Sequence, residues 1–177
     1  MNKMNGALLN NRMRRAVGAR HMRLGGFTVV EMLVVVAIFG ILATTAAPSF
    51  SSLISSKRAD AAATDLYVAL VESRSEATKR NASATLAPKS GGWQYGWQMS
   101  VVDPNNSANT LTLGDHPAAS NVTVTGPDTV VYQSSGRVQG NINPAFLVSV
   151  TSGSNIEQRW VCIDLSGRPL VRSTACP

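Results

Sequence analysis

The chain has 177 residues, 44% hydrophobic but only 6% aromatic, and carries 16 Lys and Arg against 10 Asp and Glu, a formal charge of +6. That length has room for one domain of ordinary size plus an appendage. Lys3, Arg12, Arg14, Arg15, Arg20 and Arg23 all precede Gly26 with no acid among them, so residues 27–177 are formally neutral and a nucleic-acid-gripping surface over the whole fold has no support.

In chain order, the first predicted element is an apolar helix. Residues 27–47 hold only Thr28, Glu31, Thr44 and Thr45 as polar side chains. A helix of that length covers about 31 Å, the thickness of a bilayer's hydrocarbon, which predicts a transmembrane span. The cations upstream, with none downstream before Lys57 and Arg58, put the N-terminus in the cytoplasm and the rest across the membrane. A secretory signal places its cleavage site after the apolar core. Here the small pair Gly25 and Gly26 precedes it, and an uncleaved signal anchor is the other reading that hydropathy allows.

Glu31 is the residue that needs a reason. A carboxylate near the end of a spanning helix costs about 2 to 3 kcal/mol, so it persists where it has a partner or a task. Cleavage after Gly26 would free an α-amine on Phe27, ordinarily titrating near pH ~8, four residues before Glu31. Between neighbouring subunits that amine and carboxylate neutralise each other at low dielectric, which sets the axial register of packed helices.

Pro48 lacks an N–H and is expected to kink or loosen the helix over 44–48. Helical periodicity then resumes: Ala59, Ala62, Leu66, Leu70, Ser73 and Ala77 recur at spacings of three and four, with charged residues on the other faces. The predicted helix runs from about 28 to 82, and its small-residue stripe is a packing face for a sheet. Beyond Asn81 the composition turns to Gly, Pro, Ser, Thr, Asn and Val in short alternating runs, the pattern of an antiparallel β domain. Strands are predicted at 84–87, 95–102, 110–113, 122–125, 129–133, 146–152, 158–164 and 169–172. Trp93, Tyr95 and Trp97 alternate and are expected on one face of a strand, in the core. His116 is expected in a surface loop, without a second histidine beyond the leader to complete a metal site. Asp103 and Asp128 sit in turn contexts, and hydrolase and phosphate-loop motifs are absent from the sequence. No enzyme activity, cofactor or metal is expected.

The stretch "GGFTVVEMLVVVAIFGILATTAAP" resembles the class III signal and N-terminal helix of type IV pilins and type II secretion pseudopilins. "APSFSSLISSKRADAAATDLYVALVESRSEATKRN", "GWQMSVVD", "VVYQSSGRV" and "VCIDLSGRPLVRSTAC" narrow the likeness to the GspH/FimT family. The resemblance implies cleavage after Gly26 by a prepilin peptidase, N-methylation of Phe27, and Glu31 pairing with a neighbour's N-terminus. It also implies an α+β fold, a long N-terminal helix packed on a C-terminal antiparallel β domain, often of two small sheets. The segments are then a removed leader (1–26), a transmembrane and assembly helix bounded by Pro48 (27–48), an amphipathic helix (49–82) and a β-rich periplasmic domain (83–177). The expected partners are other minor and major pilins or pseudopilins, and the expected location is the inner membrane, then the filament.

Cys162 and Cys176 flank a predicted hairpin in what would be an oxidising periplasm, which predicts a disulfide; a thiol redox pair would call for C-x-x-C spacing. Members of the FimT branch are linked to DNA uptake through a C-terminal G-R-x-R motif. This chain matches it at Gly167 and Arg168 only, its next arginine being Arg172. Arg168 and Arg172 are therefore read either as phosphate contacts or as exposed strand residues paired with carboxylates.

Overall fold

The computed structural model describes residues 26–177 apart from 104, 118, 141, 142 and 154, and gives the backbone alone at 45–49 and 107. The leader predicted for 1–26 therefore lies, except for Gly26, outside the described residues. The chain divides into two units, one up to Gly40 and one from Ile41 to Pro177.

A helix, α1, spans Val29–Arg80. Thr28 starts it, its Oγ1 accepting the backbone N–H of Glu31 at 3.2 Å while its carbonyl accepts that of Met32 at 3.1 Å. Threonine followed three residues later by glutamate is a capping box in sequence, and the Thr28 half of that arrangement is formed. The backbone is helical through Pro48, where a kink or loosening was expected. The side chain of Pro48 lies outside the description.

From Ala59 onward the helix buries the predicted stripe: Ala59, Ala62, Leu66, Leu70, Ser73 and Ala77 are each at most 2% exposed. Alanines on this face let the helix backbone approach the sheets closely. Buried Ser73 returns its hydroxyl to the carbonyl of Ala69 at 2.7 Å, so no polar group is stranded there.

Among the described residues eight strands follow: β1 Ala84–Pro88, β2 Gly96–Asp103, β3 Asn106–Pro117, β4 Thr123–Thr125, β5 Val130–Tyr132, β6 Ala145–Ser152, β7 Asn155–Ile163 and β8 Pro169–Arg172. They form two four-stranded antiparallel sheets, ordered β3-β2-β1-β5 and β4-β6-β7-β8. One hydrophobic cluster joins α1 to both sheets, with Leu66, Leu70, Leu86, Val101, Tyr132, Phe146, Val148 and Ile163 all essentially inaccessible.

Two local expectations are corrected. Trp93 and Tyr95 lie in a short 3-10 turn, Trp93–Tyr95, and the strand begins only at Gly96. Gly91, Gly92 and Gly96 have φ of 99°, 114° and 103°, a backbone path that breaks the alternation. Trp93 and Trp97 are buried, whereas Tyr95 is exposed and covers Gly91. The other correction concerns His116, which is in β3 rather than a loop, paired with Trp97 and stacked on its ring at 5.6 Å. Phe146 anchors the junction of the sheets, edge-on to Trp93 with centroids 4.8 Å apart. Gly126 is required beside it, since a Cβ there would fall 2.3 Å from the phenylalanine ring.

Candidate functional site

At the start of α1 the apolar side chains have no core to enter. Phe27, Val29, Val30, Met32, Leu33, Val36, Ile38, Phe39 and Ile41 are all more than half exposed, and Glu31 is the acid of the first turn. Gly26 has open space around it among the described residues: an added Cβ would meet nothing within 4 Å. Packing therefore does not explain this glycine. Gly26 and Phe27 precede the start of the helix, which Thr28 caps, and Glu31 stands in its first turn.

No helix among the described residues is long and apolar enough to cross a membrane. The apolar run of 27–47 ends in positions 45–47, whose side chains lie outside the description.

A second cluster of polar groups lies where the two sheets approach α1. The five-residue turns 133–137 and 164–168 have the same build: the first residue's N–H donates to the fifth's carbonyl, and the fourth, a glycine, donates back to the first. Both end in Ser-Gly-Arg, with Gly136 at φ 74° and Gly167 at φ 82°. The turns dock backbone to backbone. A Cβ on Gly167 would stand 2.1 Å from the carbonyl oxygen of Gly136 and 3.2 Å from Cα of Arg137. Arg74 of α1 ties them together, its Nε donating to the Gly136 carbonyl at 2.9 Å and its Nη2 to that of Ser166 at 3.2 Å.

Under this junction lies Tyr132, fully buried, with a hydroxyl that has no hydrogen-bond partner among the described residues. Burial pushes its phenol well above the usual range, Arg74 opposing the shift and Asp164 adding to it. Asp164 organises the second turn, its Oδ1 accepting from Ser166 Oγ at 2.6 Å and from the N–H groups of Ser166 and Arg168 at 2.9 Å. The Ser166 hydroxyl and then the Arg168 N–H hold this carboxyl below its ordinary value of 3.8.

Arg168 is exposed and lies 3.6 Å from the Asp164 carboxylate. Arg172 is at the end of β8, opposite Trp160, and no ion pair to it is found among the described residues. Arg159, in the same stretch of sequence, turns instead to α1, with Nε 2.6 Å from Asp60 Oδ1 and Nη2 2.9 Å from Ser56 Oγ. Cys162 and Cys176 form the predicted disulfide, Cα atoms 5.6 Å apart. A loop of that size contributes about 3 kcal/mol through the unfolded state and clamps the tail to β7. No three of His, Cys, Asp and Glu gather as a metal site among the described residues.

Sequence reasoning missed Arg74 and the docked turns. The repeated S-G-R was visible, but partners 62 and 92 residues away in the chain were not.

The architecture, a long helix on two small antiparallel sheets, is that of a pilin-type subunit. Crystal structures of the type IV minor pilin FimU from Pseudomonas aeruginosa share it, one with a TM-score of 0.57 at 20% identity over 68% of this chain and 93% of that one. A second crystal form gives 0.54, again at 20% identity, over 67% and 96%. Curated protein sequences show no significant match. The family model for type II transport protein GspH matches residues 62–167, and that for the prokaryotic N-terminal methylation motif matches residues 22–47. The chain belongs to the GspH family and has the type IV pilin fold.

Proposed function

We propose that this chain is a minor pilin with a role in assembly rather than catalysis. It is made as a precursor, cut between Gly26 and Phe27 by a prepilin peptidase, methylated on Phe27 and held by its helix in the inner membrane. From there it is drawn into a filament by burying that helix among those of other pilins. The observation that carries this reading is the run of exposed apolar side chains from Phe27 onward, interrupted by Glu31 alone among charged residues. In a bundle of like helices that surface becomes core, and a lone carboxylate finds its counter-charge in a neighbour's new N-terminus. The methylation-motif match over 22–47 supports it. A minor pseudopilin of a type II secretion system uses the same steps for a different client, and the GspH match supports that variant equally.

The test is Glu31→Ala in the native host. The variant is expected to insert and be processed normally yet be missing from sheared filaments. Wild-type incorporation would overturn the role of Glu31, and native protein still beginning at Met1 would overturn the whole reading.

We also infer contact with DNA from one observation: the docked turns bring the backbone of Arg137 beside Gly167, the residue before Arg168. Replacing Arg137 and Arg168 together by Gln is then expected to abolish a low-salt gel shift. Absence of a shift with the wild type ends the idea.

A further inference from the structure

Two elements of the unit from Ile41 onward end on the same side. α1 meets the β domain at Ser55, which is buried, whereas Phe50, Leu53 and Ile54 just before it stand 67%, 52% and 44% exposed. Arg159 of β7 reaches Ser56 and Asp60 of α1, and the turn that follows β7 reaches Arg74 through the Ser166 carbonyl. β7 therefore runs along the helix in the helix's own direction. The β6–β7 hairpin, closed at Ser152 opposite Asn155, projects back toward the start of α1. At this end of the hairpin Ile156 is 61% exposed. Alternation puts it on the other face of the strand from Arg159. It lies three residues before Arg159, about 10 Å at strand rise, and so comes level with about positions 50–54 of the helix.

Charge at this end is one-sided. The acids, Asp60 and Glu157, both lie against Arg159, at 2.6 Å and 3.7 Å. Lys57 and Arg58 are exposed, and no ion pair to either is found among the described residues. Phe50, Ile54 and Lys57 follow one another at spacings of four and three, so the unpaired lysine continues the exposed apolar stripe of the helix. Four apolar side chains from two elements are thus rimmed by two cations without partners. Such cations on long aliphatic stems are suited to a boundary between hydrocarbon and water.

We propose that this end of the β domain is seated on a lipid surface, with Phe50, Leu53, Ile54 and Ile156 among the upper acyl carbons and Lys57 and Arg58 on lipid phosphates. The inference rests on the reading that the helix is held in a membrane, and it adds that the β domain itself touches the bilayer. The spacing of charges along the sequence agrees with it. No charged residue occurs from Met32 to Ser56, a run of 25 positions. As helix that run covers about 37 Å, more than the ~30 Å of hydrocarbon and less than the ~40–45 Å that includes the headgroups. Lys57 and Arg58, the first charges after Glu31, then fall among the headgroups of the far leaflet. Continuity selects lipid over a protein partner. The bilayer is the surface that the helix itself brings to this end, and it offers hydrocarbon at the level of the apolar side chains and phosphate at the level of the cations.

The test uses the full chain in vesicles of phosphatidylethanolamine and phosphatidylglycerol that contain lipids with nitroxide quenchers at shallow and deep acyl positions. Cys162 and Cys176 are tied in the disulfide, so a single added cysteine takes the fluorophore. A label at Ile156→Cys is expected to be quenched several-fold more than one at Leu165→Cys, an exposed position in the turn at the other end of β7. Lys57→Glu with Arg58→Glu is expected to bring the Ile156→Cys label down to the Leu165→Cys level, with the near-ultraviolet signal of the tryptophans unchanged. Equal quenching of the two labels without the charge reversal overturns the proposal, and so does quenching at Ile156→Cys that the charge reversal leaves as it was. A label at Val36→Cys separates this inference from the reading beneath it. If that label is quenched and the one at Ile156→Cys is not, the helix is in the membrane and only the seating of the β domain fails; if neither is quenched, the membrane-held helix fails with it.

Discussion

The first turns of α1 and the β domain place their apolar residues in opposite ways. Phe39 is 67% exposed, while Phe146 is fully enclosed against Trp93 and Gly126. The same side chain is thus left outside in one region and forms the core in the other. The β domain encloses a core shared with α1 from Ala59 onward. The start of the helix leaves its apolar side chains unburied, and under the proposed function a lipid or other helices cover them.

The contrast can be broken most forcefully at the two phenylalanines. Phe146→Ala is expected to cost the β domain about 3 to 5 kcal/mol, read as a lowered urea midpoint in the near-ultraviolet signal of the full chain in detergent. All three tryptophans, Trp93, Trp97 and Trp160, lie beyond α1, so that signal reports the β domain. Phe39→Ala, and likewise Glu31→Ala, are expected to leave the midpoint where it was. A shift on Phe39→Ala comparable to that on Phe146→Ala would erase the distinction.

A smaller effect comes from acid. The folded pKa of Asp164 lies below its ordinary value through its bonds to Ser166 and Arg168, and that of Glu76 is lowered by Arg80 and Lys79. A depressed carboxylate contributes stability that is fully present above the unfolded pKa and is lost as pH falls through the folded one. The melting temperature of the β domain is therefore expected to drop modestly between about pH 5 and pH 2. Asp164→Asn, whose amide oxygen still accepts but does not titrate, is expected to flatten part of that drop. An unchanged slope in that variant would remove Asp164 from the account.

Much of this fold was legible because its signals are local. Each predicted strand overlaps an observed one, since alternation and turn residues act within a few positions. The exceptions show where local reasoning ends. In β3, Asn106, Asn109, Gly114 and Asp115 read as turn formers, yet pairing with β2 extends them into a strand of twelve residues. Trp93, Tyr95 and Trp97 had the right period, but the glycines around them turn the backbone into a 3-10 turn, so two tryptophans are inside and the tyrosine is out. At the candidate site, Glu31 was found because a charge in an apolar run is conspicuous by itself. Arg74 was missed because one arginine on an amphipathic helix looks like any other until the turns it binds have folded beneath it.

Two arginines attach the sheets to α1 at separated points. Arg159 reaches Asp60 and Ser56 from β7, and Arg74 reaches out from the helix to the turns at Gly136 and Ser166. Positions 60 and 74 are about 21 Å apart along the axis at helical rise. A pull along α1 is thus shared between both fastenings as shear, and peeling the helix away one residue at a time is resisted at each. A subunit fastened in this way carries tension through its rod and passes it to the attached domain without relying on any single bond.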